Sequence, residues 1–227
     1  MTKMVMVLAP DRANLSKQLT NLLIMKYGEV SLGQVEAAIN KLGGIEGFYK
    51  LLRGQLIISE KKWYEIDSVI YIKVISDGTT GEEWIERLGK KGFILSKWAK
   101  DILLSKDFKF TTGTVYTIAV LKSDLFTNEN CVTKEIYREA AKRKLVTPNP
   151  EVACLIREMF SDKEIEDMGL VWLVTFHEFI KDSDGDSRFL NTYPSIDGSF
   201  LDAVYVNHDS NWRDRCGFVF EISKVSL

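Results

Sequence analysis

The sequence predicts an α+β protein with a mixed, largely antiparallel sheet, inserted helices and a small helical N-terminal segment. Three observations support this fold class. Apolar residues recur at helical spacing through residues 1–54, strand and helix patterns alternate in the middle of the chain, and only strand patterns follow the acidic turn at 182–186. The expected organisation is a helical N-terminal segment at 1–54 and an α+β domain at 55–227 that ends in an antiparallel β-meander.

The N-terminal segment carries three short amphipathic patterns. Leucines recur at helical spacing from Leu15 to Leu23, Ser31 and Gln34 fit a capping box for a second helix, and Ile45 to Leu52 continue the pattern up to Gly54. Helices of this length bury little surface alone. We therefore expect them to pack on one another or on the residues that follow.

Strand patterns begin the α+β domain at residues 56–58, 62–66 and 69–75, and a further clear strand covers Thr114 to Leu121. These segments are rich in β-branched and aromatic residues, which favour the pleated surface of a sheet. Helices are expected between the early strands, so the sheet cannot be built from hairpins alone.

Helix starts are marked by capping residues. Thr80 with Glu83 makes a capping box before a helix that turns Trp84 inward, and Ser96 can cap a helix whose apolar stripe includes Trp98. Both helices are expected to pack on the sheet through these tryptophans.

Two longer helices are expected at about 134–145 and 150–160. The second has Asn149 as its cap and Pro150 at its first helical position. A short helix should follow from Ser161, where Glu164 completes another capping box.

The longest apolar run, Val171 to Ile180, does not alternate between apolar and polar residues. A strand of this kind must be covered on both faces. Gly169 precedes it, and an acidic turn follows it. We therefore expect a central strand that delivers Asp182, Asp184 and Asp186 to one edge of the core.

Two strands are expected after this turn, at Ser199–Val206 and Cys216–Ile222. In the second, Cys216, Phe218 and Phe220 share one face, so Cys216 is expected to be a buried, apolar thiol. The pattern is typical of an antiparallel meander.

Three segments resemble those of a bacterial protein family without a known activity: TTGEEWIERL at 79–88, NPEVACLIREMF at 149–160 and HEFIKDSDGD at 177–186. The resemblance extends over most of the chain from about residue 30 onward. It implies a bacterial-type protein and brings no ligand or catalytic residue with it. In that family a proline follows the His-Glu pair, where this chain has Phe179.

Composition bounds the class of protein. The three cysteines are an odd number without a C-x-x-C pair, which favours a reducing compartment and a cytoplasmic location. No apolar run has the length of a membrane span or the pattern of a signal peptide. Residues 146–227 carry 15 acidic and 7 basic side chains, so a polyanion should prefer the middle of the chain and a cation its end.

The acidic turn is a candidate site for a divalent cation. Asp182, Asp184 and Asp186 could turn onto one hard cation, with His177 and His208 converging on the same metal. The EF-hand pattern is incomplete, so such a site would be improvised. The alternative is a solvated turn, since Asp and Gly are good turn formers.

His177 and Glu178 are adjacent and should point to opposite faces of a strand, which argues against a shared ligand. The favoured interpretation of His177 is a core histidine that donates to a backbone or carboxylate oxygen. Cys154 is predicted to lie opposite the apolar face of its helix, beside Arg157, where an accessible thiol could have some thiolate character. A second packing contact is nevertheless the favoured interpretation of Cys154.

A basic and aromatic stretch is a candidate nucleic-acid interface. Its lysines, Lys90, Lys91, Lys97 and Lys100, could contact phosphates, and aromatic side chains can stack on bases. Trp98, however, falls on an apolar stripe, which favours a core position and leaves the lysines as an ordinary solvated face. The sequence contains no glycine-rich phosphate loop and no G-x-S-x-G elbow.

Two functional hypotheses follow from these features. The leading one is an intracellular protein that binds a protein or nucleic-acid partner without catalysis of its own and without a membrane. The alternative is a divalent-metal-dependent hydrolase that uses Asp182, Asp184, Asp186 and His177. The sequence leaves open whether the protein is an enzyme.

Overall fold

The computed structural model describes residues 62–127 and 130–223 of the protein, together with Ala37 and Asn40. The chain divides into two compact units, Met1–Glu60 and Lys61–Leu227. Ala37 and Asn40 are helical and exposed, and they fall in the second predicted helix. The other N-terminal helices and the strand predicted at 56–58 lie outside the described residues.

The described part of the second unit alternates strands and helices before it ends in strands. In chain order the elements are β1 (Trp63–Ile66), β2 (Val69–Asp77), α1 (Gly81–Lys90), β3 (Ile94–Leu95), α2 (Lys97–Leu103), β4 (Thr112–Lys122), a 3-10 turn (Ser123–Leu125), α3 (Thr133–Lys142), β5 (Leu145–Val146), α4 (Glu151–Met159), α5 (Asp162–Asp167), β6 (Trp172–Thr175), β7 (Ile180–Lys181), β8 (Ser187–Ser195), β9 (Gly198–Tyr205) and β10 (Cys216–Ile222). None of the described helices is long and apolar enough to cross a membrane.

All of these strands belong to one mixed sheet. Its order is β1-β2-β4-β10-β6-β8-β9-β3, and β5 and β7 pair with β10 and β8. The β10–β6 and β3–β9 pairs are parallel, whereas the other pairs are antiparallel. The α+β class with a largely antiparallel sheet is therefore confirmed.

The sheet is covered on both faces by separate cores. On the first face, α1, α2, α4 and α5 contribute apolar side chains to a cluster with strand residues such as Ile70, Ile118 and Val219. On the second face, α3 packs with Phe218 and Phe220. Because β10 supplies Val219 to one core and Phe218 to the other, this strand is buried on both sides.

The C-terminal strands differ from the predicted meander. β8 and β9 form an antiparallel hairpin, but β10 lies between β4 and β6 rather than beside β9. Burial on both faces requires a central position. Gly217 is consistent with this central position, because neighbouring side chains pack directly against its backbone. A Cβ on Gly217 would lie 2.7 Å from Val120 Cγ1 and 2.8 Å from Leu170 Cδ1.

The predicted central strand is confirmed in position but not in length. β6 lies between β10 and β8 and contributes Leu173 and Val174 to opposite cores. It ends at Thr175, and Ile180 belongs to a separate short strand. The ladder stops because the His177 ring, and not a backbone carbonyl, accepts the N–H of Leu190.

The capping residues predicted at Thr80, Ser96 and Ser161 are confirmed. Thr80 and Ser161 each form a complete capping box with the glutamate three residues later. The Ser96 hydroxyl accepts the N–H of Ala99 at 3.0 Å. Asn149 Oδ1 accepts the N–H of Glu151 at 3.3 Å, but Pro150 is the cap residue and α4 starts one residue later than predicted, at Glu151.

Candidate ligand-binding site

The acidic turn is built around Asp182, which is already satisfied by the protein. Its Oδ1 accepts the backbone N–H groups of Asp184 and Asp186, both at 2.9 Å, and its Oδ2 accepts from the Arg188 guanidinium. Burial opposes ionisation of Asp182, but the guanidinium and the two N–H groups outweigh it and hold the pKa of the carboxyl below its usual range. Asp182 is therefore a paired structural anion.

The other two carboxylates of the turn point to other cations. Asp184 Oδ2 lies 3.7 Å from Lys97 Nζ, and Asp186 Oδ2 lies 3.5 Å from Arg188 Nη2. Among the described residues, no group of three or more His, Cys, Asp or Glu side chains is arranged to hold a metal ion. The carboxylates of the predicted cation site are paired with cations of the protein, and Arg188 supplies the positive charge that a metal would have supplied.

His177 is a core histidine, as its favoured interpretation predicted, and cannot serve as a metal ligand. Its side chain is 0 % exposed. Nδ1 donates to the Glu178 carbonyl at 2.6 Å, and Nε2 accepts the N–H of Leu190 at 2.9 Å. Burial lowers the pKa of His177 to about 4, so the neutral ring persists at physiological pH. His208 is exposed in the connection between β9 and β10.

The cysteines are buried. Cys154 is 0 % exposed, and burial raises the pKa of its thiol, which agrees with the favoured interpretation of a packing contact and not with an accessible thiol. The reason is that α4 is buried from Glu151 through Arg157 and has no solvated side over this part. Cys216 is buried as predicted, and burial raises its pKa to about 11.

The four lysines of the predicted nucleic-acid interface do not form a uniformly basic surface. Lys90 Nζ lies 2.5 Å from Glu86, Lys91 Nζ lies 2.7 Å from Glu158, and Lys97 faces Asp184 across 3.7 Å. Lys100 is exposed on α2. Carboxylates therefore offset three of the four charges.

Trp98 is not part of the core. It is 39 % exposed, and the Arg188 guanidinium lies 4.6 Å from its ring centroid. The inward side of α2 is taken by Ala99, Ile102 and Leu103. Trp98 instead covers the buried ion pair of the acidic turn.

A charged cleft of about 590 Å³ lies beside α1 and the end of β2. Arg87 reaches across it and pairs with both Asp77 and Glu158. Glu158 also receives Lys91. Its charged groups are bound to one another, so this cleft is an ion-pair network that ties α1 to α4.

A different cleft lies under residues 206–215, which connect β9 to β10. The directions of these two strands explain the path of the connection. β8 is antiparallel to both β6 and β9, and β10 is parallel to β6, so β9 and β10 run in the same direction. Tyr205 pairs with Arg188 near one end of the sheet, whereas Cys216 pairs with Trp172 near the other. A connection between strands of the same direction must return along the sheet, and this one does so over the second face.

Trp212 anchors this connection. Its ring packs against Phe176 at 5.9 Å and Phe218 at 5.7 Å between centroids. Its Nε1 donates to Thr133 Oγ1 at 3.1 Å, and its backbone N–H donates to the Cys131 carbonyl at 2.8 Å. Contacts within the protein therefore fix the orientation of the Trp212 ring.

We define the Trp212 cleft as the space of about 390 Å³ between this connection and the sheet. Its lining residues are Trp172, Val204, Tyr205, Ser210, Asn211, Trp212, Arg213 and Cys216. Trp172 stacks on Tyr193 at 4.4 Å with an interplanar angle of 12°. Aromatic surface therefore borders the cleft from the sheet, from the end of β9 and from the connection.

The register places Asn191 on the sheet beside this cleft. Asn191 pairs with Val174 on β6 and with Asp202 on β9, and alternation puts Trp172 and Val204 on the same face. Its side chain is 0 % exposed, and neither its oxygen nor its nitrogen has a hydrogen-bond partner among the described residues. A buried polar group without a partner lowers the stability of the folded state by about 1–3 kcal/mol. An apolar side chain at this position would fill the same space without that cost.

Arg213 provides the charge of the cleft. Its side chain is exposed, and within the described ranges no carboxylate lies at ion-pair distance from it. A neighbouring cleft of about 450 Å³ shares Trp212 and Arg213 but is also lined by Asp214. The Trp212 cleft has no such carboxylate in its lining.

Sequence reasoning missed Asn191, Trp212 and Arg213. One signal was present, because a tryptophan and an arginine stand side by side in an otherwise polar connection, Asn207 to Arg215. Exposed aromatic and arginine side chains are typical of binding surfaces. No local signal marked Asn191, since its importance depends on strands that are distant in sequence.

Comparison of the chain with protein-family models, curated proteins and solved structures returns no match. The resemblance to a bacterial family therefore stays a prediction.

Proposed function

We propose that the protein acts by binding a small ligand with a flat ring in the Trp212 cleft, without catalysis of its own. The observation that carries this proposal is the convergence of Trp172, Tyr205 and Trp212 around one concave space. Small-molecule sites are typically concave and mostly apolar, with a few polar groups that fix orientation. Arg213 is a polar group of this kind in the lining.

A flat ring suits the cleft better than an aliphatic chain does. Aromatic rings stack on tryptophan and tyrosine with a gain beyond burial of area alone. The Trp212 ring is already fixed by its contacts with Phe176, Phe218 and Thr133. A ligand would therefore meet a preformed surface and lose little affinity to ordering of the protein.

The partners that the sequence suggested receive less support. Three of the four candidate lysines are offset by carboxylates, which weakens the case for a nucleic acid. The buried titratable groups His177 and Asp182 are hydrogen-bonded within the protein. This weakens the hydrolase hypothesis, which needs these groups as a general base or as metal ligands. A cytoplasmic location stays part of the proposal, and the three free, buried cysteines are compatible with it.

Ligand-observed saturation-transfer NMR with indole, a neutral flat probe, tests the proposal. We expect transfer from the wild-type protein and its loss in Val204→Trp, which fills the cleft. Tyr205→Ala should weaken the transfer, whereas Tyr64→Ala should not, since Tyr64 is a comparably exposed tyrosine (56 % against 52 %) away from the cleft. Absence of transfer from the wild type, or transfer that survives Val204→Trp, would refute the proposal.

A further inference from the structure

The cleft next to the Trp212 cleft contains polar groups that the Trp212 cleft lacks. We define it as the Ser123 cleft, the space of about 450 Å³ between the 3-10 turn after β4 and the connection at 206–215. We propose that the Ser123 cleft binds a zwitterionic amino acid with an apolar side chain, whose carboxylate pairs with Arg213 and whose ammonium group pairs with Asp214.

Two opposite charges stand side by side in this lining. Arg213 and Asp214 are both exposed, and neither forms an ion pair with the other or with any further group in the described ranges. A guanidinium binds a carboxylate through two parallel hydrogen bonds, and a carboxylate accepts strong hydrogen bonds from an ammonium group. A ligand with one charge of each sign satisfies both side chains, whereas a simple anion or cation meets one attractive and one repulsive charge.

Ser123 adds a buried polar group to the same lining. It begins the 3-10 turn, it is 6 % exposed, and its hydroxyl has no hydrogen-bond partner within the part of the chain that the structure describes. A serine hydroxyl can donate one hydrogen bond and accept others. Because Ser123 lines the cleft, the charged head of an amino acid there can supply the missing partner.

The remaining lining favours an apolar side chain on the ligand. Phe126 packs edge-on against Phe218 at 5.9 Å between centroids, and Trp212 is fixed by its own contacts with the core. Cys131 is 3 % exposed, and burial raises the pKa of its thiol to about 11, with a further contribution from the negative charge of Asp214. The Asp214 carboxylate therefore lies near an apolar wall, where an ion pair is less screened than in open water.

Three probes separate the two charges in isothermal titration calorimetry. L-Phenylalanine carries both, 3-phenylpropanoate lacks the ammonium group, and 2-phenylethylamine lacks the carboxylate, while all three keep the same ring. We expect phenylalanine to bind most tightly. Loss of either charge should weaken binding about ten-fold, because each removes a charge-assisted pair.

Two variants assign these differences to residues. Asp214→Asn should abolish the preference for phenylalanine over 3-phenylpropanoate, and Arg213→Gln should abolish the preference over 2-phenylethylamine. Asp209→Asn and Arg215→Gln are the matched controls, because both residues are exposed in the same connection but do not line the cleft. Both controls should keep both preferences.

Ser123→Ala separates ligand contact from a purely structural role. The substitution removes a hydroxyl that has no partner among the described residues, so the ligand-free protein should keep its melting temperature. Its affinity for phenylalanine should fall about five-fold. Unchanged affinity would overturn the contact between Ser123 and the ligand.

The outcomes distinguish this inference from the proposed function. Val204→Trp fills the Trp212 cleft but Val204 does not line the Ser123 cleft, so this variant should still bind phenylalanine. Loss of phenylalanine binding in Val204→Trp would assign the amino acid to the Trp212 cleft and overturn the inference. Absence of binding to the wild type, or equal affinity for the three probes, would also overturn it, while the result with indole stands by itself.

Discussion

The acidic turn and the Trp212 cleft contain similar polar groups in opposite states. In the turn, the buried Asp182 carboxylate is bound by Arg188 and by two backbone N–H groups. Beside the cleft, the buried Asn191 amide has no hydrogen-bond partner, and in the cleft Arg213 has no ion-pair partner, within the part of the chain that the structure describes. The difference teaches that a cluster of charged residues in a sequence marks a functional site only where the fold leaves its members unpaired.

The strongest way to break this comparison is to remove the cation of the turn. Arg188→Ala leaves the Asp182 carboxylate buried without its partner, so we expect the free energy of unfolding to fall by about 3 kcal/mol. Urea denaturation measures it, with Arg215→Ala as an exposed control that should change stability by less than about 0.5 kcal/mol. Equal effects of the two substitutions would show that Asp182 is not structurally paired.

A pH titration sharpens the role of His177. Its folded-state pKa of about 4 lies below the ordinary value of 6.5, so the unfolded chain binds the proton more readily. Its contribution to stability is therefore full above pH 6.5 and is lost as the pH falls towards 4. We expect a loss of about 2 kcal/mol on going from neutral pH to pH 5.

Urea denaturation at the two pH values, with His177→Gln as the comparison, isolates this effect from that of the carboxylates. Gln retains a side-chain acceptor for the N–H of Leu190 but does not titrate in this range. The variant should lose about 2 kcal/mol less than the wild type between the two pH values. Identical losses would mean that the pKa of His177 is the same in the folded and unfolded states.

Removal of Trp98, which covers the Asp182–Arg188 ion pair, should have a smaller effect on stability. Trp98→Ala removes the ring above the Arg188 guanidinium and should lower the free energy of unfolding by about 1 kcal/mol. Trp98→Phe keeps an aromatic ring and should recover about half of that loss. No difference between alanine and phenylalanine would show that Trp98 does not interact with the guanidinium.

The opposite change, a gain in stability, is expected when Asn191 beside the cleft is replaced. Asn191→Leu replaces an unpartnered amide with an apolar side chain of similar size, so the ligand-free protein should gain about 1 kcal/mol of stability. Thermal or urea unfolding measures it. A clear loss of stability would break the comparison, because it would mean that the amide is satisfied within the protein.

Local features of the fold were predictable, and the site was not. The capping boxes at Thr80 and Ser161 depend on residues three positions apart, so the sequence contains all of their determinants. The prediction for Trp98 was wrong because a helix of only seven residues does not define which of two adjacent stripes faces the core. Cys154 is a packing contact, as favoured, because other elements bury α4 from Glu151 through Arg157.

By itself, the sequence determined where most of the described helices begin, that β6 is covered on both faces, and that His177 belongs to the core. The tertiary structure alone decided that Arg188 neutralises Asp182 and that residues 206–215 return over the second face with Trp212 and Arg213. The physical reason is the separation along the chain of the residues that interact. Caps and periodicity depend on neighbours within one or two turns of chain, whereas strand order and the pairing of buried polar groups depend on residues that meet only when the sheet has formed.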